Sequence, residues 1–289
     1  MSTVASPVVD YASAPARGPL AALVGRQVGY RMSGFEPGVH MGLPSLSLTF
    51  IVSFDDPLSL TGLPDRSRPP ESFWTMVSGL CDAPAIISHD GSQHGVQLDL
   101  SPLATRSLFG LPAGALANQV VSLDDLLGDT ANELWERTWS ASSWSERFDE
   151  LELVLAARLL RHRGDGAASV RPELRWAWHQ IADSRGAVAV ADLADELGWS
   201  RRHLSAQFRD EFGLSPSTVA RVARFDAATV LLRGPQRLTL AQVAARAGYA
   251  DQSHMTREWR RLGGSSPTAW QDDEQFPSVQ DPGGHDHPH

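Results

Sequence analysis

The sequence predicts an α+β chain of two domains. The first is a β-rich barrel or sandwich with helices following it. The second is an all-α C-terminal domain of two helix-turn-helix units joined by a long helix. Three observations carry this expectation. The hydrophobic period changes from two to helical near residue 123. A short helix, a glycine turn and a longer helix are written twice within the last hundred residues. The 289 residues, 42% hydrophobic and 20% charged, also supply material for two cores.

Composition narrows the functional classes. A single cysteine, Cys81, excludes an intramolecular disulfide and any zinc module built on two or more cysteines. Alone, it reads as a small buried hydrophobe rather than a nucleophile. Apolar stretches such as Leu48 to Phe54 fall far short of the ~18 residues of a membrane helix. The opening 20 residues carry no basic start and apolar block, so no signal peptide, a cytoplasmic location and no membrane partner are expected. The net charge of −9 is unevenly spread: residues 171–270 hold 14 Arg and 10 acids, a net of +4, which leaves −13 for the remainder. Every strong base is arginine, because the chain contains no lysine. A basic segment in an acidic chain points to a polyanionic partner.

Along the chain, residues 1–19 are small, polar and proline-bearing, and disorder is expected there. Residues 20–122 read as short strands. The Leu46–Phe54 run alternates and then turns continuously apolar, and His94–Leu100 alternates cleanly. Glycines and prolines from Gly34 to Pro64 punctuate them as turns. In residues 123–163, Leu126, Leu127, Leu134, Trp135, Phe148, Leu151, Leu153, Leu155 and Leu159 recur at helical spacing, predicting a helical connector that could serve dimerisation. Residues 164–170 read as a linker and 271–289 as an acidic, histidine-bearing disordered tail.

The repeat occupies residues 171–270. Leu193-Ala194 recurs as Val243-Ala244 and Gly198-Trp199 as Gly248-Tyr249, at an offset of 50. Beyond the turn the offset is 51, matching His203-Leu204 with His254-Met255, Phe208 with Trp259, Gly213 with Gly264, and Ser215-Pro216 with Ser266-Pro267. Small Ala194 and Ala244 suit close helix crossing, and Gly198 and Gly248 permit a left-handed turn. Leu204, Phe208 and Phe212 form one buried stripe; Met255, Trp259 and Leu262 form the other. Ser215-Pro216 and Ser266-Pro267 read as an N-cap followed by proline at the first helical position, Thr239 to Gln242 as a capping box, and Pro216 to about Leu232 as the joining helix.

These residues resemble the DNA-binding domain of the AraC/XylS family of transcription regulators, over about a third of the chain. Asp251-Gln252-Ser253-His254, Arg257 and Ser266 to Trp270 carry the resemblance in the second unit. It implies double-stranded DNA as partner, RNA polymerase as a further partner if the protein activates, and a homodimer. It also implies a cupin-like N-terminal sensor for a small-molecule effector. No cofactor and no enzymatic activity are expected. Arg201, Arg202, Ser205 and Arg209 are the expected DNA-contacting residues of the first unit. Gln252, Ser253, His254, Arg257 and Arg260 are those of the second, where Gln and Arg can pair with base edges. Arg260 and Arg261 suit phosphates. Two positions depart from the family pattern. Ala189 replaces a Ser or Thr cap, and Ala206 stands where a long polar side chain often reaches bases, so the first unit should read sequence weakly.

The remaining candidates are weaker. His40, His89 and His94 lack the close His-x-His pair of metal-binding cupins, and His285-Asp286-His287 sits in the tail. Trp74, Trp135, Trp139 and Trp144 are expected as aromatic core rather than pocket lining. Two rival readings stand beside the regulator with a sensor. In one, the N-terminal domain only dimerises or binds a protein partner. In the other, an enzyme is fused to an AraC-type domain, although the N-terminal half shows neither a βαβ rhythm nor a cysteine set for repair chemistry.

Overall fold

The structure is a computed structural model that describes residues 7–164 and 169–273. Its N-terminal half packs in three layers: a small sheet, a large sheet, and helices. The large sheet is antiparallel, in the order β1-β2-β9-β4-β7-β10, from β1 (Val8–Ala14), β2 (Val24–Ser33), β9 (Gln93–Leu100), β4 (Leu48–Ser53), β7 (Thr75–Ser78) and β10 (Val120–Ser122). The small sheet runs β3-β8-β5-β6, from β3 (Gly38–Gly42), β8 (Ala85–His89), β5 (Leu58–Gly62) and β6 (Glu71–Phe73). The two sheets stay separate and open, so the architecture is a sandwich and not a closed barrel.

Strand β4 lies in the middle layer, which explains its apolar run. Leu48, Phe50 and Val52 face the helices, while Ile51 faces the small sheet with Leu58, Leu60, Met76 and Ile87. A strand buried on both faces cannot keep a polar side. In β9 the alternation is kept: Val96, Leu98 and Leu100 enter the core on the helical side.

The helical layer comprises α1 (Thr105–Phe109), α2 (Leu123–Leu127), α3 (Asp129–Ser140) and α4 (Trp144–Gly164). The C-terminal domain follows as α5 (Pro172–Asp183), α6 (Val190–Glu196), α7 (Arg201–Phe212), α8 (Pro216–Arg233), α9 (Leu240–Arg246), α10 (Gln252–Gly263) and α11 (Pro267–Asp273). One continuous core runs from β4 through Leu108, Leu134 and Leu155 into Trp178, Leu193, Leu204, Phe208 and Phe212 of the first helix-turn-helix unit. The second unit closes around Phe225, Val243, Met255, Trp259 and Trp270, with Leu43 of the N-terminal domain inserted.

Several expectations are corrected. Residues 8–14, expected to be disordered, form β1, paired along its length with β2 from Val8 opposite Ser33 to Ala14 opposite Gln27. An edge strand is held by backbone hydrogen bonds, so its exposed, small-residue composition concealed it. Ala16 and Leu20 are buried beyond it. In the expected linker, Val170 is buried, while residues 165–168 lie outside the described residues. Residues 271–273 continue α11 rather than starting a disordered tail, and His285, Asp286 and His287 lie outside the described residues. Leu153, one of the apolar residues read at helical spacing, is 55% exposed. Trp74 and Trp139, expected in the core, are 47% and 53% exposed. They contact the half-buried Trp135, which stacks on Trp139 with ring centroids 5.7 Å apart, while its indole N–H is anchored to the Ser53 carbonyl at 2.7 Å. An aromatic run of sequence cannot show that its rings bury one another on a surface.

Candidate nucleic-acid interface

Each unit is built by local rules before tertiary contacts act. Gly198 (φ +66°) and Gly248 (φ +81°) take the left-handed turn between the helices. Ser200 caps α7 by accepting the His203 N–H at 3.1 Å, and Asp251 caps α10 by accepting the His254 N–H at 2.7 Å. Thr239 and Gln242 form a reciprocal capping box at the start of α9, whereas Ala189 leaves α6 without a side-chain cap. Ser215 caps α8 with Pro216 at its first position, and α8 runs 18 residues to join the units.

These caps and stripes fix which side of each long helix faces outward. In α7, Leu204, Phe208 and Phe212 are fully buried, so Arg201, Arg202, Ala206 and Arg209 are exposed and Ser205 is half-buried beside them. In α10, Met255, Trp259 and Leu262 are buried, and Gln252, Ser253, Arg257 and Arg260 are exposed. Among the described residues, Arg201, Arg202, Arg209, Arg257 and Arg260 have no ion-pair partner. Unpaired guanidinium groups on two related helices make a surface suited to phosphate and base-edge acceptors. His254 differs from its neighbours: it is half-buried, edge-on to Tyr249 at 5.4 Å and 3.9 Å from Glu258. Arg261 points the other way, to Asp82 of the N-terminal domain at 3.7 Å.

Sequence reasoning missed the residues that hold this surface in place. Arg224 of α8 donates to the Gly186 carbonyl at 2.7 Å, lies 3.8 Å from Glu258 of α10, and sits over the Tyr249 ring. Arg171, just before α5, stacks over Trp199 at 5.0 Å and donates to Gln207 of α7 at 2.9 Å. Both cations sit far in sequence from their partners, and nothing in local spacing could reveal them.

The N-terminal domain carries a second feature. Between the sheets lies a cavity with about 60 Å³ open to water-sized molecules, lined by Tyr30, His40, Leu43, Ile51, Met76 and Gln97. Burial, and then the nearby His89, pull the His40 pKa down to about 4, so its imidazole is neutral at pH 7. His40 and His89 have ring centroids 5.7 Å apart, while His94 sits between Asp55 and Arg147, 2.9 Å from each. Among the described residues, no group of three or more His, Cys, Asp or Glu side chains is placed to share a metal ion. The Cys81 thiol is buried, and its pKa is pushed up to about 12 by burial and then by Asp82.

Comparison with known proteins bears on the same region. Residues 193–273 match the family model described as a helix-turn-helix domain. The F1 operon positive regulatory protein of Yersinia pestis is 37% identical over 70 residues, covering 24% of this chain and 23% of that protein. The probable transcriptional regulator LumQ of Photobacterium leiognathi is 32% identical over 84 residues, covering 29% and 34%. The chain therefore spans well under half the length of the curated relatives it matches. Among solved structures, an apo variant of ToxT from Vibrio cholerae matches with a TM-score of 0.50 at 11% identity, over 92% of this chain and 96% of that one. That likeness extends the shared fold across both domains.

Proposed function

We infer that this chain, whose C-terminal third is an AraC-type helix-turn-helix domain, is a transcription regulator that binds duplex DNA through both of its units. The observation that carries this reading is the pair of capped long helices, each presenting exposed, unpaired arginines opposite a fully buried apolar stripe. Arg201, Arg202, Ser205 and Arg209 act for the first unit, and Gln252, Ser253, Arg257 and Arg260 for the second. His254 supports the helix from its inner side. The mechanism is positional: α8 joins two helices that enter major-groove faces about 10 base pairs apart. The chain performs no chemistry on its target. Among the described residues no helix is long and apolar enough to cross a membrane. The reading places the protein in the cytoplasm, with RNA polymerase as partner if it activates.

The cavity between the sheets supports a small-molecule effector. Its walls are mostly apolar, with Gln93, Gln97 and several serines to orient a ligand. Its narrow interior, about 60 Å³ as it stands, holds a few water molecules, so a larger ligand would have to widen it. A second reading, in which this half pairs two copies of the chain, is favoured by Leu153 and Leu160, exposed one heptad apart on α4.

The test is titration of full-length protein with genomic duplexes at several salt concentrations. Binding should weaken steeply as salt rises, because phosphate contacts release counterions. Absent binding at low salt, or salt-independent binding, overturns the reading. An effector held at about 100 times its dissociation constant should add about 2.7 kcal/mol of stability.

A further inference from the structure

The two helix-turn-helix units dock on the N-terminal domain at equivalent points of the repeat. Gly213 and Gly264 end α7 and α10 in the left-handed conformation, with φ of +77° and +79°. A Cβ on Gly213 would run into the Ala117 Cβ, and one on Gly264 would meet the Pro84 side chain at 3.4 Å. The loops beneath them, residues 79–84 and 112–118, are joined to each other. The Asn118 side-chain Oδ1 accepts the Asp82 N–H at 3.1 Å, and the Asn118 N–H donates to the Leu80 carbonyl at 2.8 Å. Asn118 does this with a φ of +58°, a left-handed conformation rare outside glycine that asparagine tolerates better than most residues. The Asp82 carboxylate in turn faces Arg261 of α10.

A single chain of contacts therefore leads from α10 through Arg261, Asp82, Asn118 and Ala117 to the end of α7. We propose that Asn118 is a positioning residue for DNA reading, pinning two loops into one platform that fixes how far apart, and in what rotational phase, the two recognition helices stand. This rests on the reading of both units as DNA-binding. The platform also borders the cavity, since Gly79 and Cys81 line it, so an occupant that widens the cavity displaces the surface on which both units rest. The link needs no contact between effector and DNA-binding domain.

The experiment compares wild type with Asn118→Gly, which keeps the left-handed backbone and removes only the side-chain bridge, and with Asn118→Asp, which keeps an acceptor oxygen there. First, binding is measured on a selected duplex and on the same duplex with half a helical turn, about 5 base pairs, inserted between the half-sites. Wild type and Asn118→Asp should lose about tenfold or more on the altered duplex, and Asn118→Gly no more than about threefold. Second, spin labels are placed at Asp195→Cys and Ala245→Cys, exposed equivalents on α6 and α9, and the distance distribution is recorded without DNA. The buried Cys81 thiol does not compete for label. The distribution should be narrow in wild type and broader in Asn118→Gly, with thermal melts confirming that the variants are folded. An unchanged spacing penalty and an unchanged distance width in Asn118→Gly overturn the proposal. If wild type binds no duplex, the DNA reading falls by itself, and the distance measurement still decides whether Asn118 sets the geometry.

Discussion

Arg106 of α1 grips Glu211 near the end of α7 through three hydrogen bonds of 2.8–3.1 Å, one domain holding the other by a forked ion pair. Glu211 is only 5% exposed. At the equivalent point of the second unit stands Leu262, buried in that unit's own core. One position of the repeat has thus become an interdomain clamp in the first copy and stayed apolar in the second.

Removing either partner of that clamp should have unequal effects. Arg106→Ala leaves a buried carboxylate without its cation and should cost about 3 kcal/mol. Glu211→Leu leaves an arginine that can reach water, and should cost less than about 1 kcal/mol. Urea denaturation of both variants reads the difference; equal losses would show that the pair contributes only as packing.

A pH dependence follows from Asp226 on α8, which faces Asp99 and Arg26 of the N-terminal domain and Arg233 of its own helix. Burial, then the Asp99 charge, raise its pKa to about 6, against the opposing pull of Arg233 and Arg26. A carboxyl raised in the folded state binds its proton more tightly there than in the unfolded chain. Its contribution is therefore fully present below about pH 4 and is lost as pH rises through 6, leaving a cost on the order of 3 kcal/mol at neutral pH. Asp226→Asn should gain stability over wild type at pH 7.5 and little at pH 4.5. Parallel denaturation midpoints for the two proteins across that range would contradict this.

Two exposed arginines of α10, Arg257 and Arg260, should separate reading from holding. Arg257→Ala should cost about 1–3 kcal/mol on the specific site and relax preference at one base pair. Arg260→Ala, one turn further along, should weaken all sequences alike and lower the salt slope by about one. Binding-site selection on each variant is the measurement. An unchanged motif for Arg257→Ala, with one altered position for Arg260→Ala, would reverse the assignment.

Trp259→Ala should act through stability alone. Its ring is fully buried between Phe225 at 4.7 Å and Trp270 at 5.3 Å. Truncation should cost about 3–5 kcal/mol and abolish binding by the second unit. Retained melting temperature with lost binding would instead place the indole at the DNA.

The C-terminal domain was legible because its rules are local. Gly198, Ser200, Thr239 and Ser215 each act within four residues, and the repeat displayed them twice. The N-terminal half yielded its most apolar strands, β4 and β9, but few of the shorter strands and none of the pairing, since β2 meets β9 across more than sixty residues of chain. Strand β1 escaped because an edge strand can be satisfied through its backbone with few buried side chains. The interdomain contacts were invisible for a related reason: Arg106, Asp82 and Asn118 look like ordinary surface residues until another domain is laid against them.

The caps of the two long helices, α7 and α10, differ in charge, and this gives the duplicated units different electrostatic characters. A helix N-terminus carries about half a positive charge. Ser200 is neutral and leaves that charge uncompensated at the head of α7, where Arg201 and Arg202 add to it. Asp251 places a full carboxylate on the same point of α10 and offsets it. An anion at the head of the first helix meets a converging positive field, whereas one at the head of the second meets a carboxylate that outweighs the helix terminus. Ala206 leaves the first unit without a long polar side chain at the point where Arg257 stands in the second. On the proposed DNA-binding reading, the first copy would serve as an anchor with little preference for sequence, and the second as the discriminating half of a bipartite grip.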